Sequence, residues 1–368
     1  MYLDADGARL ADDDVERVKA LVIPPAWQDV WICPYPHGHI QATGTDEAGR
    51  RQYLYHPQWR ARRDRAKHDH VLDVARRLPR ARKRVKEDLK LEGLPRERVL
   101  ALAFALLDVA YLRIGNEAYA RDNGSYGLST LRRKHARIVD VVGGVGEPTT
   151  GASGVAAAGA SDEEAVRHAI QLRFPAKSGK RAEITIDDPD LGAVMTALLE
   201  RPGRRGRLLA WNEAESAEAE DDARGDGAGS AGSAGSAGSA GSASSAGSAG
   251  SAAHDGPWHK VSSSDVAGYV REVLGETATP KDFRTWHATV LAARGLAAEG
   301  PPPRSQAARR RTIAGVVRDV ADELGNTPAV CRSSYIDPRV IDLWELGETI
   351  GRPRTLEGAE RAVRRLLG

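Results

Sequence analysis

Residues 227–252 read GAGSAGSAGSAGSAGSASSAGSAGSA, a run with no side chain large enough to build a core. The segment before it, NEAESAEAEDDARGDG (212–227), carries seven acids against one Arg. Together they predict a disordered insertion over Asn212–Pro257, acidic first and then Gly/Ser/Ala-rich. A second flexible insertion is expected at GGVGEPTTGASGVAAAGAS, residues 143–161. Whatever folds must therefore be assembled from sequence on both sides of these breaks. With 368 residues the chain has length enough for two domains with cores of their own.

The first eighty or so residues read as mixed, with more strand than helix. VWICPY and HIQATG are short apolar or alternating runs, and TDEAGRRQYLYH reads as a turn followed by a strand. Consecutive prolines in IPPAW exclude helix interior there. From PQWRARRDRAKHDHVLDVARRL onward the period becomes helical, with Val71, Leu72, Val74, Ala75 and Leu78 on one stripe. LPRERVLALAFALLDVAYLRIG is a long apolar helix entered near Pro95. RHAIQLRFPAKSGKRAEITI differs: two alternating runs flank AKSGK, a hairpin with a glycine in its turn. Beyond the long insertion the remaining segments, from DVAGYVREVL to TLEGAERAVRRLLG, return to helix. The expected class is α+β: a small strand-rich N-terminal domain (1–82) and a larger, mainly α-helical domain (83–368) carrying a β-hairpin.

Several function classes fall away. Glycine-rich sequence ending in Gly-Lys-Ser/Thr before a helix is missing, and so are HExxH, CxxC and clustered-carboxylate metal motifs, so neither nucleotide nor metal nor other cofactor is expected. Cys33 and Cys331, far apart, fit a reducing cytoplasm rather than a disulfide framework. The acidic, polar start MYLDADGARLADDD is unlike a secretory signal. The most apolar run, Val99–Leu112, is short for a membrane span and contains Asp108, so no membrane partner is expected. The net charge of +2 hides an asymmetry: residues 51–90 hold 14 Lys or Arg against 5 Asp or Glu. Such a stretch suits either a polyanion or a solvated helix face.

What remains is a dispersed set of cations and one late tyrosine: Arg113 in LRIGNEAYARDNGSYGLSTLRRKH, Lys177 in RFPAKSGKRAEI, Arg284 in KDFRTWHATV and Tyr335 in GNTPAVCRSSYIDP. Singly, each is better read as a cap, a solvated turn residue or packing. In sequence order, together with GTDEAGRRQYLYHPQWRARRDRAKHD, they resemble the motif series of type IB DNA topoisomerases of the small poxvirus and bacterial branch. The resemblance runs from about Ile23 to near the C-terminus.

That resemblance implies the catalytic fold shared by tyrosine recombinases and type IB topoisomerases, closing with the N-terminal domain as a monomeric, C-shaped clamp on duplex DNA. It implies that Tyr335 attacks a phosphodiester to form a 3′-phosphotyrosyl link, that Arg113 and Arg284 bind the phosphoryl oxygens, and that Lys177 protonates the leaving 5′-oxygen, with Lys180 as the fallback. Many family members carry His nine residues before the tyrosine; here Asn326 stands there, a hydrogen-bond donor without charge. DNA contacts are implied for Gln52, Tyr53 and Tyr55 on one strand, for Arg60, Arg62, Arg63, Arg65 and Lys67 after it, and for Arg132, Arg133, Lys134 and His135. Lys281, in the Arg284 motif, is assigned to the same surface. The segment Tyr126–Thr130 is expected to turn near the scissile phosphate.

Two other readings compete. A tyrosine recombinase shares the Arg…Lys…Arg…Tyr logic, but typically has His-x-x-Arg where this chain has KDFRTWH. An inactive DNA-binding relic would have lost key positions, and Arg113, Lys177, Arg284 and Tyr335 are all present. Covalent attachment to DNA separates the relic from the enzymes.

Overall fold

The computed structural model describes residues 7–142, 166–203, 206–212 and 257–368. The insertions expected at 143–161 and 212–257 lie outside the described residues, apart from Asn212 and Pro257. The chain divides into two compact units, Met1–His70 and Val71–Gly368. The division falls inside one helix.

The first unit opens with helix α1 (Asp12–Ala20), three acids in its first turn favouring the positive end of the helix dipole. Strands β1 (Gln28–Ile32), β2 (Ile40–Thr45) and β3 (Arg51–Tyr55) then form an antiparallel sheet in the order β1-β2-β3. The β2–β3 register pairs Thr43 with Tyr53 and Gly44 with Gln52. Gly44 is required by packing, because a Cβ there would sit 2.6 Å from the Trp27 ring. The Asp46 carboxylate shapes the β2–β3 turn by accepting the backbone N–H groups of Ala48 and Arg50, at 3.0 and 2.9 Å.

Helix α2 (Pro57–Asp88) starts on a proline, where the missing N–H costs nothing, and continues through Pro79. The expected stripe of Val71, Leu72, Val74, Ala75 and Leu78 is buried. In the second unit α3 (Arg96–Val109) is the central element, with Val99–Leu102 and Leu106–Leu107 almost completely enclosed. Helix α4 (Glu117–Asn123) is capped by Asn116, which accepts the Tyr119 N–H.

The lysine-bearing hairpin is present as β5 (Val166–Pro175) and β6 (Arg181–Ile186). It is wider than the sequence reading anticipated: β4 (Ala136–Val142) pairs along β5 from Ala136–Leu172 to Val142–Val166, giving a three-stranded antiparallel sheet. Helix α5 (Pro189–Glu200), capped by Asp188, follows. A short ladder of β7 (Ala210–Asn212) and β8 (Trp258–Lys260) joins sequence on either side of the long break. Asn212, at the edge of the anticipated insertion, closes β7 and is fully buried.

The rest is helical: α6 (Ser263–Leu274), α7 (Pro280–Glu299), α8 (Gln306–Glu323), α9 (Pro328–Ser334), α10 (Pro338–Glu345) and α11 (Leu356–Leu367). Capping boxes start α6 (Ser262 with Asp265) and α7 (Thr279 with Asp282), satisfying N–H groups that a helix start leaves open. Helix α7 buries residues on nearly every face, from Asp282 to Ala297, so it is a core helix rather than a surface one. No helix among the described residues is long and apolar enough to cross a membrane.

Candidate active site

Arg113 follows α3 on a loop whose backbone is tightly held. Its carbonyl accepts the Leu128 N–H at 2.8 Å, and the next carbonyl, of Ile114, accepts both the N–H and the hydroxyl of Ser129 at 2.8 and 2.9 Å. Gly127 makes the approach possible: a Cβ there would fall 2.6 Å from the Arg113 carbonyl oxygen and from the Gly115 nitrogen. The segment Tyr126–Thr130 is thus the brace of the arginine loop.

The Arg113 side chain is half-buried and donates to the side-chain oxygen of Asn326 and, at 3.2 Å, to the Gly325 carbonyl. Arg284 lies in the first turns of α7, only 4% exposed, and donates to the carbonyls of Tyr111 and, at 2.6 Å, Leu324. Its guanidinium carbon stands 5.4 Å from the centre of the Tyr335 ring. Neither guanidinium is paired with a carboxylate among the described residues. Burial, then the nearby Arg113, push Arg284 down to about 10, while Tyr335 acts the other way. Burial also lowers Arg113, with Tyr335 again opposing. Two cations, Arg284 buried and Arg113 half-buried, are therefore held close together against their mutual repulsion.

Tyr335 ends α9 and is half-buried against the core. The fully buried Cys331 one turn before it and Ile336 after it anchor its backbone, and the Thr289 hydroxyl of α7 accepts the Asp337 N–H at 3.0 Å. Burial pushes the Cys331 thiol up to about 11, so it stays a neutral packing group. Asn326 is 6% exposed, and its amide nitrogen is buried without a hydrogen-bond partner among the described residues. The Arg284 Nε is likewise unpartnered. Unmet buried donors of this kind are costly unless a ligand completes them.

A cleft of about 690 Å³ opens beside these groups, lined by Arg113, Arg284, Tyr126, Phe174, Lys180 and Leu324 among others. Tyr335 is not among its lining residues. Lys177 sits exposed at the hairpin tip in a single 3-10 turn, with Gly179 at φ +72° completing the reversal. Lys180, not Lys177, lines the cleft. The fold brings Arg113, Arg284, Asn326 and Tyr335 together; Lys177 stays at the tip of the hairpin.

The other anticipated contacts vary in setting. Arg132 and Lys134 are exposed, Arg132 lying 5.9 Å from the Tyr126 ring centre. The Arg133 guanidinium instead donates to the carbonyls of Leu199 and Gly203 at the end of α5. His135, expected on the same surface, is buried edge-on against Tyr126, and burial with Lys134 and Arg132 lowers it to about 4. Lys281 is exposed in the first turn of α7.

In the first unit Tyr53 and Tyr55 stack 6.1 Å apart, Tyr55 stacks on Trp59 at 4.5 Å, and the Arg63 guanidinium lies 5.1 Å from the Trp59 ring centre. Arg60, Arg62 and Arg65 are exposed along the same helix, and Lys67 is half-buried. Gln52 donates its amide to Asp46 at 2.8 Å. That carboxyl is lowered to about 2, first by the Arg50 side chain. Tyr111 was not foreseen. Its carbonyl is one of two that accept from Arg284, and it stands at φ +53°, a conformation that no sequence pattern announces for an aromatic residue.

Residues 1–46 match the family described as the N-terminal domain of bacterial DNA topoisomerase IB. Residues 56–197 and 249–342, more than half of the chain, match the family described as the catalytic core of eukaryotic DNA topoisomerase I. The DNA topoisomerase 1B of Acanthamoeba polyphaga mimivirus is 27% identical over 346 residues, covering 94% of this chain and 83% of the viral protein.

Proposed function

The chain belongs to the type IB DNA topoisomerase family and is an enzyme of that type; from that premise we propose that it relaxes supercoiled duplex DNA by transesterification through Tyr335. The observation that carries the reading is the pair of guanidiniums, half-buried Arg113 and buried Arg284, beside a tyrosine and without a carboxylate partner among the described residues. Buried cations without counter-charge are unfavourable in the free protein and favourable once an anion arrives. A phosphodiester suits them, because the planar guanidinium matches two phosphoryl oxygens at once.

In the proposed reaction the Tyr335 phenol loses its proton to solvent and its oxygen bonds to phosphorus. The bond from phosphorus to the 5′-oxygen breaks, and that oxygen takes a proton from Lys177. The free strand end rotates, and the 5′-hydroxyl then reverses the step and restores the phosphodiester. Bond energy is conserved in the phosphotyrosyl link, so no ATP is consumed. A phenol with an ordinary pKa near ~10 is a poor nucleophile at neutral pH, and adjacent cations favour its anion. The larger contribution is electrostatic: charge develops on the nonbridging oxygens, and the donors assigned to them are Arg113, Arg284 and the Asn326 amide, which has no partner among the described residues.

Phosphate and base contacts are assigned to the Tyr53–Tyr55–Trp59–Arg63 stack with Gln52, to Arg60, Arg62, Arg65 and Lys67, and to Arg132, Lys134 and Lys281. Arg133 is assigned to holding the end of α5. The test is relaxation of supercoiled plasmid in EDTA without ATP, beside Tyr335→Phe, with detergent to trap adducts. Relaxation and adduct in the parent, both lost in the Phe protein, are expected. A folded parent that leaves plasmid supercoiled and forms no adduct would sink the reading.

A further inference from the structure

Behind the site lies a buried ionic cluster that no proposed step uses. Arg82 of α2 donates to both oxygens of Asp108, at 2.6 and 3.0 Å, and to both oxygens of Glu360, at 2.6 and 2.7 Å. His287 of α7 lies 2.8 Å from Asp108 through Nε2, and its Nδ1 lies 3.8 Å from Glu360. The Trp286 indole donates to Glu360 at 3.4 Å. His287, Asp108 and Glu360 are each 4% exposed or less. Burial alone would raise Asp108, but Arg82 and His287 outweigh it and hold the carboxyl well below its usual range. It is therefore a carboxylate, and the His287 Nε2–H donates to it.

Resting on the reading of Arg284 given above, we propose that Arg82, Asp108, His287 and Glu360 are positioning residues that set Arg284 against Tyr335. Three observations connect the cluster to the arginine. Arg284 and His287 are three residues apart on α7, hence neighbours on one face. Tyr111 touches both: its carbonyl accepts from Arg284, and its ring centre is 4.7 Å from that of His287. Asp108 fixes the chain three residues before Tyr111, and the Gly127 contact fixes Arg113 two residues after it.

Tyr111 is thus held from both sides in the left-handed region, where a bulky residue persists only if its surroundings impose it. A buried ion cluster is a weak way to gain stability, and its use here to fix one geometry is part of the proposal. Here the geometry specified is that of a carbonyl which aims a catalytic cation. Glu360 extends the assignment to α11, which lies beyond the matched catalytic core ending at residue 342.

The test is single-turnover cleavage of a suicide duplex at saturating DNA, with DNA affinity and melting temperature measured in parallel. His287→Ala is expected to slow adduct formation on the order of 10²-fold, the scale of a misplacement of about 1 Å, with affinity unchanged. His287→Gln, which keeps a donor toward Asp108, recovers most of the rate. In an Arg284→Ala background His287→Ala adds less than about threefold, because residues acting as a unit are not additive. Full multiplication of the two losses, or no slowing at all, overturns the proposal while parent adduct still forms. A parent that forms no adduct defeats the functional reading instead. Should His287→Ala not fold, Glu360→Gln, which keeps the shape, carries the same cycle with the same two outcomes.

Discussion

Arg113 donates to the side-chain oxygen of Asn326 across 213 residues of sequence, and the amide nitrogen of that asparagine is left buried without a partner among the described residues. The pairing fixes which way the amide points, since an arginine has no lone pair to accept with. The nitrogen is then the group free to donate to a phosphoryl oxygen. Asn326→Ala should slow cleavage about 10- to 10²-fold, a loss at or below that of an oxyanion-hole donor. Asn326→Asp should be worse, because its carboxylate would neutralise Arg113 and repel the phosphate. Single-turnover adduct formation measures both; an Asp variant faster than the Ala variant would show that Asn326 faces away from the phosphate.

Gly127 is the tightest backbone approach behind Arg113. Its Cβ in Gly127→Ala would meet backbone atoms at 2.6 Å, which a side-chain rotation cannot relieve. The Arg113 loop must shift, and a destabilisation of about 1–3 kcal/mol is expected, the usual range for overpacking. Cleavage should fall by more than that stability loss explains, with DNA affinity unchanged. A variant that melts early but cleaves at the parent rate would separate the brace from the chemistry.

How much of this was legible beforehand follows from the range of the interactions. The N-terminal strand segments, the α2 stripe and the β5–β6 hairpin rest on local periodicity and turn residues, which the sequence displays; the β1–β2–β3 pairing is a tertiary feature. The four residues brought together at the site were named through ordered motifs, not through any local signal that would predict their proximity. Tyr111 was missed because positive φ at a tyrosine is imposed by tertiary contacts. The Arg82–Glu360 pair spans 278 residues, and neither residue stands out in its helix. β4 was missed because ARIVDVV abuts an apparent linker, so nothing in sequence marked its pairing with β5. Lys180 in the cleft lining, with Lys177 at the tip, depends on how the hairpin leans, which no spacing rule fixes.

The buried cluster makes a prediction about stability and pH. Arg82→Ala leaves Asp108 and Glu360, with side chains 5% and 1% exposed, without the guanidinium that pairs with both. The loss should be about 3–5 kcal/mol at pH 7, the range for breaking a buried pair from one side. In the parent, Asp108 is depressed on folding, so its contribution is complete above the unfolded value near ~4 and is lost only as pH falls toward the folded one. Between pH 7 and 5 it therefore adds no slope. In Arg82→Ala burial of Asp108 is opposed by His287 alone; if burial then prevails, the Asp108 carboxyl is raised, the folded state binds more protons than the unfolded, and stability should increase as pH falls from 7 to 5. Denaturant titrations at three pH values read the sign. An unchanged slope would mean that His287 or entering solvent keeps Asp108 ionised once Arg82 is gone.

The hairpin lysines can be told apart by the leaving group. A general acid matters because a departing alkoxide is strongly basic, and such catalysis contributes about 10²–10⁴-fold. Lys177→Ala should slow cleavage of an ordinary duplex by that order. A substrate with sulfur in place of the bridging 5′-oxygen departs as a thiolate, whose conjugate acid has a pKa near ~8.5, and needs no proton at neutral pH. On that substrate Lys177→Ala should cleave at close to the parent rate, whereas Arg284→Ala, which acts on nonbridging oxygens, should stay slow. Lys180, lining the cleft beside Arg113 and Arg284, is expected to contribute to phosphate binding instead. Lys180→Ala should then show a modest loss that sulfur does not repair. The reverse pattern, with sulfur rescuing Lys180→Ala and leaving Lys177→Ala slow, would move the proton donor into the cleft lining and leave the tip lysine to the DNA backbone.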